Sequence, residues 1–215
     1  MFRPLAGFVA AVFVLLANAA PLRADDAASA LLARLAGADP DLHTYRADVA
    51  FDVGLRSFPY LRKTLHGNAY FKRPARVELV FSDLPAIARA WSNVYVGLGT
   101  PSDWEKKFTI AAGAAAPARE AYLVLTPRVP DRRLREVDVF VDRDVPLPAR
   151  IVWRYRDGVI DMHQRFGRVD GHDLVVAQDA DIRLPAVHAY VNARITNYAL
   201  NVDVEDAVFT AKSPS

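Results

Sequence analysis

Residues 65–81 read LHGNAYFKRPARVELVF, and the spacing of their apolar side chains decides the fold class. Leu65, Ala69 and Phe71 fall on alternate positions, as do Val77, Leu79 and Phe81 after a break at Lys72-Arg73-Pro74. Period-two alternation suits a half-buried antiparallel strand, whose successive side chains leave opposite faces of the sheet. Proline brings no ladder donor and biases the preceding residue towards extended geometry, so Arg73-Pro74 marks a turn between two paired strands. Two consecutive cations are thereby held out of the core at the rim, near whatever the sheet curves around.

The same rhythm extends in both directions. Upstream, Tyr45, Ala47, Val49, Phe51 and Val53 alternate with Arg46, Asp48, Ala50 and Asp52, a strand with one buried face. Before it, Ala28, Leu31, Leu32 and Leu35 form a helical stripe that Asp25 or Asp26 can cap and that Gly37 and Pro40 end. Downstream, strand signals recur at Tyr122–Thr126, Glu136–Asp142, Ala149–Arg156, Val159–Phe166, Asp173–Leu184, His188–Tyr198 and a short Val208-Phe209. Asp157-Gly158 and Asp170-Gly171 read as hairpin turns.

Residues 84–108 break the pattern. Leu84, Ile87, Ala88 and Trp91 share a helical face after Pro85, and Thr100-Pro101-Ser102-Asp103 starts a second helix with Trp104 and Phe108 one turn apart. Residues 111–118 are either a small-residue loop or a fraying helix. The chain is therefore mainly β (α+β), with about ten antiparallel strands in an open or closed barrel-like sheet and two or three helices on one side.

The first residues read as a targeting segment. Arg3 precedes an apolar run from Leu5 to Ala20, and Leu22-Arg23-Ala24 or Ala17-Asn18-Ala19 offers a cleavage site, so residues 1–24 are expected to be a signal peptide. As a helix the run would rise about 24 Å at ~1.5 Å per residue, short of a ~30 Å bilayer core. Residues 25–215 then form one domain. The segment 1–24 carries Arg3 and Arg23 and no acid, leaving 25 basic against 25 acidic residues. Such a balance offers no cationic field for nucleic acid. With no cysteine there is neither a disulfide framework nor a site for lipid attachment after the leader. A periplasmic protein, exported through the inner membrane, fits these features.

Catalytic signatures are missing. The five histidines, His43, His66, His163, His172 and His188, lack metal-ligand spacing and read as surface residues, with Gly171-His172-Asp173 a turn. Neither a GxSxG elbow nor a phosphate-binding glycine loop occurs, so no cofactor site is expected. Asp138 and Asp142 fall on the polar side of a strand, where solvation explains them. The aromatic residues follow strand or helix periodicity and serve either as ordinary core or as the wall of a cleft between sheet and helices. Arg73 is either a solvated strand-end residue or a donor to backbone carbonyls of a covering element.

The stretch Gly67-Asn68-Ala69-Tyr70-Phe71-Lys72-Arg73-Pro74 resembles the glycine, four variable residues and Lys-Arg-Pro of the periplasmic outer-membrane lipoprotein carrier (LolA-like) family. Asp26-Ala27-Ala28-Ser29 with Leu35 is similar to the start of mature carriers, and the likeness covers residues 25–210. The family's Asp-Gly-x-x-Leu-Trp stretch is absent, with Trp91-Ser92-Asn93-Val94-Tyr95 in its place. The resemblance implies an unclosed barrel covered by helices, whose apolar cavity shields the acyl chains of lipoproteins between two membranes, without cofactor or chemistry. It implies an acylated lipoprotein or lipid as cargo, an inner-membrane loading complex or exporter, and an outer-membrane acceptor. Arg73 takes the position of the arginine that holds the lid closed. The expected lining is Phe51, Phe71, Leu79, Phe81, Trp91, Trp153 and Tyr155. A lipid- or lipoprotein-sensing module of the same fold is the alternative reading, and a hydrolase a third.

Overall fold

The computed structural model describes residues 24–57, 60–81, 98–114, 120–131, 133–185 and 187–210. Ten strands form one antiparallel sheet: β1 (Thr44–Leu55), β2 (Arg62–Lys72), β3 (Arg76–Phe81), β4 (Phe108–Ala112), β5 (Glu120–Pro127), β6 (Leu134–Asp142), β7 (Pro148–Tyr155), β8 (Gly158–Val169), β9 (His172–Leu184) and β10 (Val187–Leu200). Their order is β3-β2-β1-β10-β9-β8-β7-β6-β5-β4. The sheet is mainly β architecture left unclosed, because β3 and β4 stand at its two edges. The one departure from nearest-neighbour order is β1 beside β10, which brings the first and last strands together.

Among the described residues two helices flank the sheet, α1 (Ala24–Ala36) and α2 (Pro101–Lys107), and a 3₁₀ turn (Asp206–Phe209) closes the described chain. Ala28, Leu31, Leu32 and Leu35 of α1 are all buried, as their spacing predicts. The helix begins at Ala24, so Asp25 and Asp26 lie within its first turn instead of capping it. The segment 82–97, which includes the expected helix around Trp91, lies outside the described residues, as do residues 1–23. None of the described helices is long and apolar enough to cross a membrane.

Three local expectations give way to the tertiary fold. The helix at Pro101 ends at Lys107, and Phe108 opens β4, which pairs with β5 from Phe108↔Pro127 to Ala112↔Leu123. Alanines 111 and 112 are poor strand formers, but the exposed edge of β5 supplies their backbone partners, and packing overrides weak propensity. Val208-Phe209 belongs to the 3₁₀ turn instead of a strand, since Asp206 is held there by Lys72 and Arg76 at 2.7 Å each. The β7–β8 connection is Arg156-Asp157, because Tyr155 pairs with Gly158. Gly158 is required by a close approach: a Cβ there would lie 2.3 Å from the Arg183 carbonyl oxygen. Asp170-Gly171 does form the β8–β9 turn, with φ of 46° and 90°, the left-handed pair that a tight hairpin needs.

The buried apolar side chains form two clusters. The larger joins α1, Trp104 and Phe108 to the inner faces of β5–β9, through residues such as Leu123, Val139, Trp153 and Ile182. The smaller holds Ala47, Val49, Phe51, Leu65, Ala69, Leu79, Ala193 and Ile195 on β1, β2, β3 and β10. On the opposite face Asp138 is fully buried, contrary to the solvated carboxylate expected there. Tyr122 Oη donates to its Oδ1 at 2.9 Å and Arg154 Nε to its Oδ2 at 2.5 Å. Tyr122 in turn stacks on Phe140 with ring centroids 4.7 Å apart. A strand-pattern reading sees only that Asp138 faces away from the main core. It does not see the aromatic cover that excludes water.

Candidate ligand-binding site

Where the two clusters meet, the packing is incomplete. A cavity of about 260 Å³ lies between them. Its floor is the sheet, with Tyr45 of β1, Phe71 of β2, Ile151 and Trp153 of β7, Met162 of β8 and Tyr198 of β10. Its roof combines Leu35, Ala38, Asp39 and Leu42, from the end of α1 and the following loop, with residues 98–101 and Trp104. The aromatic wall is interlocked. Tyr45 stacks on Phe71 and meets Tyr198 edge-on, both with centroids 5.3 Å apart, and Tyr198 Oη donates to the Val175 carbonyl at 2.6 Å. Small-molecule sites usually enclose about 300–1,000 Å³. The cavity lies just below that range.

Arg73 is the first of three side chains that hold the roof loop. Arg73 Nε donates to the Leu42 carbonyl at 2.6 Å, and Nη2 donates to the carbonyls of Ala38, at 3.1 Å, and Asp39. The planar fork suits three acceptors set around a short loop better than a single ammonium would. The loop curls into reach because α1 ends at Gly37, whose N–H donates to the Ala33 carbonyl, and Asp39 takes a left-handed φ of 56°. Small polar side chains such as Asp tolerate that region.

Two further anchors grip the same loop. His172 Nδ1 lies 2.7 Å from both carboxylate oxygens of Asp39. Asn201 accepts from the His43 N–H at 2.8 Å through Oδ1 and donates to the Asp41 carbonyl at 3.1 Å through Nδ2. His172 is thus part of a half-buried tie at the start of β9, not the surface turn residue expected from its neighbours. Lys72, the cation beside Arg73, turns the other way, donating to the Val204 carbonyl at 3.0 Å and to Asp206. The adjacent cations of the Lys-Arg-Pro motif clasp two separate segments.

The opposite side of the roof is loosely satisfied. Thr100 precedes α2 at its N-cap but makes no side-chain capping bond. Among the described residues its hydroxyl is buried without a partner, as is the indole N–H of Trp104, a residue only 1% exposed. A buried polar group left unmatched costs about 1–3 kcal/mol.

The expected site residues divide across these features. Phe71 and Trp153 border the cavity, and Arg73 borders it while gripping the roof. Phe51, Leu79 and Phe81 lie in the smaller cluster next to it, where Phe51 and Phe81 meet edge-on at 5.3 Å. Tyr155 packs against the larger cluster, and burial raises its phenol above the ordinary value. Trp91 lies outside the described residues. Tyr45, Leu42, Tyr198 and Trp104 were not among the expected lining. Tyr45 carried a signal, because it heads the alternating face of β1, and Trp104 stood on a short helix. Leu42 carried none, as a loop side chain has no periodicity. Among the described residues no group of three or more His, Asp or Glu is placed to hold a metal ion.

Solved structures share this fold. The chain aligns with an outer membrane lipoprotein-sorting domain structure, so described with reserve, from Vibrio parahaemolyticus, at TM-score 0.63 and 10% identity, over 86% of this chain and 96% of that one. The fold is LolA-like. A LolA superfamily protein from Nitrosomonas europaea aligns at TM-score 0.53 and 11% identity, over 85% and 96% of the two chains. A DUF1329 family protein from Desulfovibrio piger aligns at TM-score 0.59 and 14% identity, over 86% and 96%. No protein-family model matches the sequence, and no curated protein matches it either. The similarity lies in the LolA-like fold and not in the sequence.

Proposed function

We propose that this protein is a periplasmic carrier that binds acyl chains, of lipoproteins or other lipids, in the cavity between its sheet and roof, for transfer towards the outer membrane. The observation that carries the reading is an apolar cavity at the seam of two core clusters, beneath a loop that Arg73 holds by three backbone carbonyls. An uncommitted seam of this kind widens without breaking either cluster. Loading would lift the roof beside Thr100 and Trp104, whose polar groups are unmatched among the described residues. Each methylene taken from water contributes about 0.8 kcal/mol, so affinity grows with tail length until the site is full. The charged groups on the cavity wall, Asp39 and Arg73 among them, are read as holding the roof loop, and the reading assigns the cavity no chemistry. The exported location rests on the leader-like residues 1–24. A lipoprotein-sorting name attached to a structure of the same fold supports the cargo class.

The test is to purify the protein from an envelope fraction and analyse co-extracted lipid by mass spectrometry. Acylated protein or lipid recovered in stoichiometric amount is the expected result. A preparation free of lipid, and unable to bind a fluorescent fatty-acid analogue, would overturn the reading in favour of an interaction module.

A further inference from the structure

We propose that the aromatic wall of Tyr45, Phe71 and Tyr198 sets the longest acyl chain that the cavity accepts. The inference rests on the carrier reading and names the element that ends its site. Tyr45 and Tyr198 border the cavity and pack against the smaller core cluster at the same time. Phe71, which also borders the cavity, extends this partition by stacking on Tyr45, with centroids 5.3 Å apart. The partition is braced. Tyr198 meets Tyr45 edge-on at 5.3 Å, and its hydroxyl donates to the carbonyl of Val175, another cavity residue on β9, at 2.6 Å. Aromatic pairs favour such stacked and edge-on arrangements, so the wall holds its shape.

The residues behind the wall explain why the rings close the cavity. On the inner face of the sheet Tyr45 pairs with Phe71, and Phe71 with Val77. Strand side chains return to the same face every second residue. The next row inward is therefore Ala47, Ala69 and Leu79, all buried in the smaller cluster. Its two alanines carry a single methyl group each, too little to fill space beside a cavity. The bulk at this boundary comes from the aromatic row, and shortening one ring extends the cavity over Ala47 and Ala69. The other end of the cavity is different. Ile151, Trp153 and Met162 are there buried members of the larger cluster, whereas Tyr45, Phe71 and Tyr198 are half-buried. A tail therefore meets packed core at one end and a thin partition at the other, and the partition is where length is decided.

Displacement of a fluorescent fatty-acid analogue from the full chain, by straight-chain saturated fatty acids of increasing length, tests the assignment. In the parent protein affinity should rise about fourfold with each added methylene and level off once the tail reaches the rings. Phe71→Ala should move that limit to longer chains, with steps of the same size continuing past it. Phe71→Leu keeps more of the side chain and should move it less. Ile195→Ala is the control, because it empties space in the smaller cluster at a residue that does not border the cavity. It should lower the melting temperature and leave the limit where it was. Affinity that climbs with length without a break in the parent protein would overturn the proposal. So would a limit unmoved in the correctly folded Phe71→Leu and Phe71→Ala variants, or one moved equally by Ile195→Ala. A failure of the carrier reading would show differently, as a parent protein that binds neither the analogue nor any fatty acid, and this inference would fall with it.

Discussion

His172 and Asp39 are joined across 133 residues of sequence, with Nδ1 of the histidine 2.7 Å from both oxygens of the carboxylate. The contact links the first residue of β9 to the loop that roofs the cavity. Through the Asp39 carbonyl the same residue also receives a bond from Arg73. Asp39 is thus the point at which two distant parts of the sheet hold one loop.

Replacing His172 by Phe removes the tie while keeping a ring in place. The expected result is faster amide hydrogen exchange across residues 39–43, with global stability lowered by about 1 kcal/mol, the net worth of one such bond. Protection unchanged from the parent protein would show that Arg73 and Asn201 hold the loop by themselves.

Arg73→Leu withdraws three hydrogen bonds from the roof loop at once. Faster uptake and faster release of a fluorescent fatty-acid analogue are expected, because the barrier to lifting the roof falls in both directions. Arg73→Lys should recover only part of the effect, since one ammonium cannot span the carbonyls of Ala38, Asp39 and Leu42 together. Stopped-flow rates equal to those of the parent protein in both variants would remove Arg73 from the loading step.

Thr100→Val is expected to leave stability unchanged or to raise it by up to about 1 kcal/mol, as it replaces an unmatched buried hydroxyl with a methyl of similar size. Trp104→Phe removes the unmatched N–H but also shrinks a side chain that is 1% exposed, so it should lower stability. Chemical denaturation reads both. A marked loss in Thr100→Val would mean that the hydroxyl has a partner in solution.

The face of the sheet that carries Asp138 supplies the pH dependence. Burial, and then the bond to Asp138, push the Tyr122 phenol up to about 12 from an ordinary value near 10. Its contribution is complete below the unfolded value and is lost as pH rises through the native one, so stability should fall between about pH 10 and 12. Tyr122→Phe should flatten that part of a denaturation-versus-pH curve. At the acid end, the two-point bond from Arg150 to Asp161, at 2.8 and 2.7 Å, holds the carboxyl below its usual range. That contribution is present above the unfolded carboxylate value and disappears as pH falls through the native one. Asp161→Asn should therefore reduce the acid sensitivity measured by thermal melting.

Much of the architecture was legible in the chain. The alternation in residues 45–53, 65–71 and 77–81 places β1, β2 and β3, and Asp170-Gly171 marks a real hairpin. The stripe of α1 names its buried face. What escaped depended on neighbours distant in sequence. β4 exists because β5 offers an edge, Gly158 is glycine because β9 passes close by, and Asp138 is buried because Tyr122 and Phe140 cover it. Of the cavity, Phe71 and Trp153 were foreseeable from strand faces, whereas Leu42 and Asp39 enter it from a loop.

Local chemistry, written in residue order, was enough to specify strands, their buried faces, the turn at Arg73-Pro74 and an arginine able to bind carbonyls. Only the folded molecule decided which carbonyls those are, and that the two apolar clusters meet without filling the space between them. The reason is physical. Periodicity records which side of an element turns inward, but a cavity and a latch depend on how far apart separate elements come to rest, and no single stretch of chain encodes that distance.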